Sequence, residues 1–528
     1  MVKQAPWYRS TSVLCAAALL LPPLGIVLLW MHRDIRVSRK ILNSIYLLIL
    51  TSLYLYYLLG LRVETDGTGR SLMVSLFNRQ WHESALERDR AQQKKAFDTQ
   101  EQVESTSVNP LQTETRPSEV PTLRPDAVGT SMPKQSSQSK VVAEDWPDFR
   151  GARRDGSYRW SAIRTQWPES GLPPLWKQPV GGGYASFVAV GDTAYTIEQR
   201  RRNEVVVAYD IKSGKELWSH GWAAEFRETM GGDGPRATPT WDQGRLYALG
   251  AIGELRCLDA RTGKRLWSRN ILEDNQAQNL QWGMSAAPLI VDDKVVVLPG
   301  GPNGKSVVAY NKLTGSPVWS VLDDKQGYAS PMLVTLAGSH QILVVSARRA
   351  MGLEPTAGDL LWEYPWVTSY DVNAAQPLIL GDNRVFLSAG YGHGAAVVEI
   401  SRQNGSFTTR TVWQNTRMKN KFTSSVLHGG YIYGLDEAIL ACMDAATGDL
   451  KWKGGRYGYG QLILAGEHLV ILSETGDLVL VKAAPEGHRE MARFSAIDGK
   501  TWNHPAMARG RLLVRNTTEM ACFDLRVE

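Results

Sequence analysis

The sequence predicts an all-β protein, an eight-bladed β-propeller with tryptophan-docking motifs, preceded by an N-terminal two-helix transmembrane hairpin and a disordered linker. Three observations predict the propeller. A short phrase, written "CLDARTGKRLW" at 257–267, returns along the chain, a second marker rich in small residues accompanies each copy, and successive copies lie 39 to 52 residues apart. This period is the length of one four-stranded propeller blade.

Each copy of the phrase is typical of two strands joined by a tight turn. An acidic or amide residue hydrogen-bonds the turn backbone, and glycine supplies the left-handed residue. The tryptophan packs against the neighbouring blade, because an isolated blade cannot bury its own faces. The eight anchor positions are 210, 259, 311, 354, 401, 444, 483 and 524. The docking tryptophans are Trp218, Trp267, Trp319, Trp362, Trp413 and Trp452, with Trp176 ahead of the first copy.

The second marker predicts the innermost strand of each blade. In "RATPTWDQGRLYAL", small residues precede a β run and a tight turn, as crowding near a propeller axis requires. The last copy of the phrase has no tryptophan, whereas 172–180, "LPPLWKQPV", has one without repeat strands before it. We therefore expect 172–180 to supply the outer strand of the blade formed by 505–525. Such ring closure removes the free sheet edges.

Two apolar stretches near the amino terminus predict a membrane hairpin. Residues 11–31 and 41–61 each have the length that crosses a bilayer. The connection "HRDIRVSRK" carries four positive charges, which favours a cytoplasmic loop. We expect an integral protein of the inner or cell membrane, with the propeller on the periplasmic or extracellular side. A cleaved signal peptide is the alternative for the first stretch.

The segment after the hairpin predicts a charged helix at 78–102, followed by a tether at 103–143. The tether is rich in Ser, Thr, Pro and Gln and has few large apolar residues, so it buries too little surface to order itself. The predicted domains are a tail at 1–10, transmembrane helices at 11–31 and 41–61, a cytoplasmic loop at 32–40, the charged helix and disordered linker at 62–143, and the propeller at 144–528.

Composition and charge exclude several function classes. The formal net charge of +6 over 528 residues is modest, and no basic run has interleaved aromatics, so no nucleic-acid partner is expected. The four cysteines fit neither a disulfide framework nor a haem or zinc motif. The nine histidines form no HExxH pattern, and no metal site is expected.

The repeat resembles the tryptophan-docking motif of the quinoprotein alcohol dehydrogenases and their pyrroloquinoline-quinone-like (PQQ-like) relatives. Five clean copies of "xxD-xx-TG-x-xx-W" and the lead-in "DWPDFRGARRDG" carry the resemblance over 144–528. In the catalytic members it implies a quinone above a tryptophan, a calcium ion held by Glu, Asn and Asp, an Asp base and a ring of two adjacent cysteines. No cysteines are adjacent here. The resemblance therefore favours the non-catalytic branch, similar to the outer-membrane-assembly lipoprotein propeller, which binds protein partners.

The candidate site lies at the mouth of the channel, where loops enter the inner strands. Aromatic residues with one arginine and one asparagine suit a peptide or planar ligand, although packing of strand ends is the alternative role. The predicted residues are Tyr184, Arg236, Trp282, Tyr328, Asn373, Phe422, Tyr459, Trp502 and His504.

The expected function is that of a membrane-anchored binding or scaffold module for a protein, peptide or small ligand, with no catalytic residue, metal or cofactor. One alternative is a PQQ-dependent alcohol dehydrogenase-like oxidoreductase with calcium and a divergent site. A second is a sensor of sugars or cell-wall fragments.

Overall fold

The computed structural model describes residues 13, 22–31, 35–57, 61–65, 72–76, 79–106 and 144–527. Two compact units make up the chain, Met1–Ala85 and Leu86–Glu528. The predicted tail and most of the predicted tether, from 107 to 143, lie outside the described residues.

The first unit contains two helices and a β-hairpin. Helix α1 is Pro22–Met31 and helix α2 is Val37–Tyr57, and strands β1 (Leu61–Thr65) and β2 (Leu72–Leu76) pair antiparallel. The two helices meet through Trp30, whose indole Nε1 donates a hydrogen bond to a serine hydroxyl of α2, with a donor–acceptor distance of 3.0 Å.

The prediction of an integral membrane protein is wrong. Within the described parts of the chain, no helix is long and apolar enough to cross a bilayer. Helix α1 has ten residues, about 15 Å at the usual rise per residue, and α2 includes Arg39 and Lys40 as well as several hydroxyl residues. Most of the predicted span at 11–31 that precedes α1 lies outside the described residues.

Helix α3, Arg79–Thr106, covers the predicted charged helix, but one of its faces contacts the propeller. Arg90 Nη2 donates to the carbonyl of Pro179 at 2.9 Å, and Arg90 Nε lies 3.2 Å from the Glu216 carboxylate. The guanidinium also lies 5.2 Å above the ring of Tyr209. The helix therefore binds where the first and last blades meet.

Eight sheets form the propeller, and the four strands of each sheet are named from the channel outwards. Blade 1 has β5 (Val188–Val190), β6 (Thr193–Arg200), β7 (Asn203–Asp210) and β8 (Glu216–Ala223). Blade 2 has β9 (Thr240–Asp242), β10 (Arg245–Leu249), β11 (Glu254–Asp259) and β12 (Arg265–Asn270), followed by the short helix α4 (Ile271–Asp274). Blade 3 has β13 (Leu289–Val291), β14 (Lys294–Val297), β15 (Val307–Asn311) and β16 (Pro317–Val321). Blade 4 has β17 (Met332–Leu336), β18 (Ser339–Val345), β19 (Arg349–Leu353) and β20 (Leu360–Pro365), followed by a 3-10 turn, Ser369–Asp371.

The remaining blades continue the same order. Blade 5 has β21 (Leu378–Leu380), β22 (Arg384–Ala389), β23 (Gly394–Gln403) and β24 (Ser406–Asn415). Blade 6 has β25 (Val426–His428), β26 (Tyr431–Asp436), β27 (Ile439–Asp444) and β28 (Leu450–Arg456). Blade 7 has β29 (Gln461–Ala465), β30 (His468–Leu472), β31 (Asp477–Lys482) and β32 (Glu490–Ser495), and blade 8 has β33 (Ala506–Ala508), β34 (Arg511–Arg515), β35 (Glu519–Asp524) and β4 (Pro174–Pro179).

The eight-bladed propeller and its ring closure are confirmed. Each blade is an antiparallel sheet, and strand β4 from the start of the domain pairs with β35 from its end, with Trp176 opposite Cys522. Within the described propeller, strand β3, Ser157–Tyr158, was not predicted. It adds a fifth, parallel strand to the channel side of β29 in blade 7.

The docking tryptophans lie between blades. Trp176 Nε1 donates to the carbonyl of Ile211 at 2.8 Å, and Trp218 Nε1 donates to that of Ala260 at 3.1 Å. Equivalent bonds to the following blade are made by Trp267, Trp413 and Trp452.

Two tryptophans depart from this pattern. The indole of Trp319 lies against Gly358 of the next turn, and its nitrogen has no hydrogen-bond partner among the described residues. Trp362 donates instead to Gln341 of its own blade, at 2.6 Å. In the next blade the tryptophan, Trp413, follows the turn glycine, Gly405, by eight residues, whereas Trp362 follows Gly358 by four. A Cβ placed on Gly405 would have no atom within 4 Å.

Polar side chains from the small-residue markers join neighbouring inner strands. The Thr238 hydroxyl accepts from Ser186 N at 2.9 Å, and the Ser330 hydroxyl accepts from Ala287 N at 2.9 Å. Gln376 Oε1 accepts from Ser330 N at 3.2 Å. Each bond satisfies a buried backbone group near the axis, which explains why these positions hold small polar residues.

Candidate functional site

The predicted loops meet at one end of the channel, which we call the mouth. Aromatic rings on one side of it form a continuous series. Tyr184 and Trp502 have ring centroids 5.7 Å apart, Trp502 and Phe422 are 4.6 Å apart, and Phe422 and Tyr459 are 5.4 Å apart. These distances are those of favourable aromatic pairs. Loops of blades 1, 6, 7 and 8 therefore supply half of an aromatic rim.

The other side of the mouth continues from Tyr184 through Arg236. The guanidinium of Arg236 lies 5.4 Å above the Tyr184 ring. A Cβ placed on Gly231 would lie 3.3 Å from Trp282 and 3.5 Å from Arg236, which makes these two side chains neighbours. Trp282 in turn lies 5.7 Å from the Tyr328 ring. Burial raises the pKa of Tyr328 to about 12, so its hydroxyl stays protonated.

Lysine side chains complete the rim. Lys421 Nζ lies 4.6 Å from the centroid of Tyr391 and 5.1 Å from that of Tyr459. Lys500 Nζ lies 4.4 Å above Trp502. Cations within about 6 Å of an aromatic face are attracted by it. The mouth is thus lined by aromatic rings with cationic side chains packed against several of them.

Glu474 holds the ring of Trp502 and the backbone of Tyr459. Its carboxylate accepts a hydrogen bond from Trp502 Nε1 at 2.8 Å and one from Tyr459 N at 3.2 Å. Such bonds to a charged acceptor are stronger than neutral ones. The rim is consequently held in place before any ligand arrives.

Two predicted residues turn away from the rim. Asn373 is 1 % exposed, and its Nδ2 donates to Ser346 O at 2.9 Å and to Ala347 O at 3.0 Å. His504 is buried, and its ring packs edge-on to Phe149 at 5.0 Å. Burial and the nearby Arg150 hold the pKa of His504 well below its usual value, so the ring is neutral. Both residues serve packing.

Four rim residues were missed by the sequence reasoning: Tyr391, Lys421, Lys500 and Glu474. Lys421 and Lys500 lie one and two positions before predicted residues, in "NKFTSS" and "GKTWNH", and this proximity was the available signal. Tyr391 and Glu474 lie in loops between the second and third strands of their blades. Those loops had not been assigned to the mouth.

The opposite end of the channel is crossed by residues 145–158, which we call the plug. Trp146 exchanges two backbone hydrogen bonds of 2.8 Å with Ala189 of blade 1. The carbonyl of Pro147 accepts from Trp241 N of blade 2 at 2.8 Å, and that of Gly156 accepts from Leu464 N of blade 7 at 2.8 Å. The plug therefore satisfies inner-strand backbone groups around the axis.

Two buried arginines hold the plug in the channel. Arg154 donates to the carbonyls of Pro331 at 2.7 Å and Pro288 at 2.5 Å, and it pairs with Asp148 at 2.7 Å. Arg150 Nη2 donates to Ser425 O at 2.7 Å, and burial lowers the pKa of Arg150 to about 10. These bonds anchor the plug to blades 3, 4 and 6.

Comparisons with known proteins agree with this architecture. The family model described as "Outer membrane protein assembly factor BamB" matches residues 201–454. BamB of Burkholderia pseudomallei is 23 % identical over 58 % of this chain and 87 % of its own length. Among solved structures, BamB of Moraxella catarrhalis superposes with a TM-score of 0.50 and 14 % identity, covering 68 % of this chain and 98 % of that one.

Quinoprotein dehydrogenases are also similar. The structure of quinohemoprotein alcohol dehydrogenase from Comamonas testosteroni has a TM-score of 0.56 at 14 % identity, over 73 % of this chain and 81 % of that one. The chain shares the eight-bladed β-propeller fold with these proteins and is similar in sequence to them. Quinoprotein alcohol dehydrogenase PedH of Pseudomonas putida is 28 % identical over 30 % of this chain, a match that spans only 27 % of PedH.

The described residues of this propeller do not fit the quinone and calcium site that the resemblance implies for catalytic members. In the described residues no three His, Cys, Asp or Glu side chains come close enough to hold a metal ion. Cys257, Cys442 and Cys522 are buried in blades 2, 6 and 8, so no two adjacent cysteines cover the mouth. Glu474, the carboxylate that holds the rim, is already bonded to Trp502.

Proposed function

We propose that this protein is a non-catalytic scaffold that binds a protein partner at the mouth. The relatives that match most of their own length are named outer membrane protein assembly factors, which supports a role of that kind. The dehydrogenase PedH matches over about a quarter of its length. A match of that length is expected between any two propellers whose blades share the docking motif.

The observation that carries the proposal is the rim, in which a series of aromatic rings is flanked by cations. Tyr184, Trp282 and Trp502 are half-buried, so each offers a ring face while its base is packed. Aromatic and arginine side chains dominate the energetics of protein interfaces. Arg236 and Lys421 add positive charge, which favours a partner segment with apolar and acidic side chains.

A rigid rim also lowers the cost of binding. Glu474 already bonds to the indole of Trp502, and Arg236 Nη2 donates to the carbonyl of Gly232 at 2.5 Å. A partner therefore immobilises few side chains, each of which otherwise costs about 0.5–1.5 kcal/mol.

The described residues contain no cluster of three metal-ligating side chains, and no cofactor is part of this proposal. A quinone-dependent dehydrogenase remains the second candidate because the PedH match is 28 % identical. The two candidates make opposite predictions for quinone binding.

The deciding experiment compares the full-length protein with Trp502→Ala and Phe422→Ala. The control is Trp160→Ala, since Trp160 is a 46 % exposed residue that follows the plug. Quantitative affinity capture is expected to recover a protein with the wild type and the control, and to lose it with both rim variants. Equal recovery with all four proteins contradicts the proposal. Saturable binding of pyrroloquinoline quinone with calcium, accompanied by dye-linked alcohol oxidation, would replace it with the dehydrogenase.

A further inference from the structure

A cavity lies at the plugged end of the channel. The plug covers only part of the ring of inner strands, and a cavity of about 490 Å³ remains between it and the inner strands of blades 3 to 6. Its walls are apolar residues of the inner strands on one side and plug residues, including Arg153 and Arg159, on the other. This cavity is distinct from the mouth.

The next-to-last position of each inner strand shows which blades the plug does not pair with. In blades 1, 2 and 7 the next-to-last residue of the inner strand donates its N–H to a plug carbonyl. These residues are Ala189, Trp241 and Leu464. In blades 3 to 6 the equivalent residues line the cavity instead, namely Ile290, Thr335, Ile379 and Leu427. The plug therefore pairs with the channel side of some blades and leaves a gap beside the others.

Strand β17 of blade 4 offers the best edge in this gap. It has five residues, as does β29 of blade 7, whereas the other inner strands have three. Strand β29 uses its length to accept β3 as a fifth strand. On the channel side of β17, no strand of the described chain is paired. Of the two five-residue inner strands, β29 therefore pairs with an additional strand on its channel side, whereas in the described chain β17 does not.

The register of β17 shows which groups are available. Leu336 and Ser339 flank a two-residue turn as partners, so Met332, Val334 and Leu336 bond to β18, and the alternate residues turn their N–H and C=O groups away. Those alternate residues are Leu333 and Thr335, and both side chains are exposed. Leu464, which corresponds to Thr335 in β29, donates to the plug in this way.

Charge selects the kind of strand that fits. Arg153 is exposed at the cavity wall, and the described residues give it no ion pair. Arg159 pairs with Asp155 at 2.9 Å, and Arg154 pairs with Asp148. Since the other charges at this wall are balanced, Arg153 leaves the cavity with excess positive charge.

We infer that β17 binds an extended acidic peptide segment of a protein partner, which adds a strand to its channel side beside Arg153. Backbone hydrogen bonds to Leu333 and Thr335 supply the affinity, and Arg153 supplies the preference for an acidic residue, as in other cases of strand addition. The site does not depend on the rim, so it can fail or stand independently of the proposed function.

The probe is a fluorescein-labelled peptide, Glu-Val-Thr-Val-Thr-Glu, acetylated and amidated at its ends, with a Lys-Val-Thr-Val-Thr-Lys counterpart. Fluorescence anisotropy with the full-length protein is expected to show saturable binding of the acidic peptide and weaker binding of the basic one. Arg153→Glu is expected to weaken the acidic peptide by roughly 10-fold and to reverse the preference, as for a charge-assisted contact. If Arg153→Glu leaves the preference for the acidic peptide unchanged, the proposal is overturned.

A second pair of variants tests the strand edge. Thr335→Pro removes one channel-facing N–H that the β17–β18 ladder does not use, an edge position at which proline is tolerated. It is expected to weaken the acidic peptide by roughly 3- to 10-fold, the value of one hydrogen bond. The matched control, Thr335→Val, keeps the N–H and is expected to bind as the wild type does. Equal binding by both variants contradicts strand addition.

Modified peptides make the test independent of variant folding. N-methylation of one alternate set of peptide amides is expected to abolish binding to the wild type, whereas methylation of the other set leaves it, because only one edge of the added strand faces β17. Equal effects of the two sets overturn the proposal. If binding is lost in Trp502→Ala and kept in Thr335→Pro, the peptide binds at the mouth. If the protein dimerises and Thr335→Pro blocks the dimer, the edge of β17 binds a second copy of this chain. Both outcomes overturn the proposal.

Discussion

The indole nitrogen of Trp176 donates a hydrogen bond of 2.8 Å to the carbonyl of Ile211, and this bond joins the last blade of the ring to the first. Trp176 belongs to β4, which completes blade 8, while Ile211 begins the outer turn of blade 1. Gly214, in the same turn, lies beneath the indole. The contact repeated between other blades thus also closes the propeller.

The turn glycine allows a direct test of this contact. A Cβ on Gly214 would lie 2.6 Å from Trp176, whereas a Cβ on Gly405 would have nothing within 4 Å, although both residues have positive φ, +73° and +85°. We expect each alanine variant to lose about 1–2 kcal/mol of unfolding free energy from its left-handed backbone. Gly214→Ala is expected to lose about 1–3 kcal/mol more through overpacking.

Urea denaturation of Gly214→Ala and Gly405→Ala measures the difference, with the second variant as control for the backbone term. Equal losses would mean that the indole contact contributes nothing to stability at the closure.

Helix α3 makes a second prediction about the same closure. Arg90 is 11 % exposed and bonds to Pro179 O and the Glu216 carboxylate, whereas Arg88 of the same helix is exposed. We expect Arg90→Ala to lower the unfolding free energy by about 1.5–3 kcal/mol, as for a bond to a charged group, and Arg88→Ala to change it little. Hydrogen exchange of the α3 amides provides the readout, and equal exchange in both variants contradicts docking through Arg90.

Periodicity predicted the fold because each blade repeats the same solution. The recurring glycine and tryptophan mark the outer turn, and the lone Trp176 predicted ring closure. The plug was missed because "DWPDFRGARRDG" occurs once and so has no period. Arg154 could not be recognised as a buried contact to three blades until those blades were closed around it.

The site was predicted in part for a related physical reason. Loop position predicted that Tyr184, Phe422 and Trp502 meet at the mouth, because every inner strand starts there. Side-chain direction within a loop has no such rule, and Asn373 and His504 turn inward. The membrane hairpin was predicted wrongly because the sequence shows apolar stretches but not where each helix begins and ends. No helix of the described chain is long and apolar enough to cross a bilayer.

The third prediction compares two neighbouring arginines of the plug, one of them buried and the other exposed. Arg154 is 2 % exposed and bonds to Pro288 O, Pro331 O and Asp148, while Arg153 is exposed. We expect Arg154→Ala to lower the unfolding free energy by about 3–5 kcal/mol, since it removes a buried arginine's hydrogen bonds and leaves the half-buried Asp148 without its ion-pair partner. Arg153→Ala is expected to stay within about 0.5 kcal/mol of the wild type.

Thermal and urea unfolding of the two plug variants decide this point, and limited proteolysis reports whether 145–158 is released. A small loss in Arg154→Ala, with the plug still protected, would show that the backbone bonds of Trp146 hold the segment without help.

A buried carboxyl between blades 1 and 2 gives the last prediction, a pH dependence. Glu204 is fully buried, and burial raises its pKa from the usual 4.5 to about 7. Its Oε1 accepts from Ala251 N at 2.7 Å, whereas Oε2 has no partner among the described residues. Between pH 4.5 and 7 the folded state binds a proton that the unfolded state has lost, so stability falls as pH rises through this interval.

Glu204→Gln removes this titration. Relative to the wild type, the variant is expected to gain about 2–3 kcal/mol of unfolding free energy between pH 5 and pH 8, since each unit of pKa shift corresponds to about 1.4 kcal/mol. Glu169→Gln, at an exposed position, is the control and is expected to show no such gain. Urea unfolding at the two pH values measures both. A difference between Glu204→Gln and wild type that is constant with pH would mean that Glu204 is ionised in the folded protein throughout, and that its environment between the blades is more polar than its burial implies.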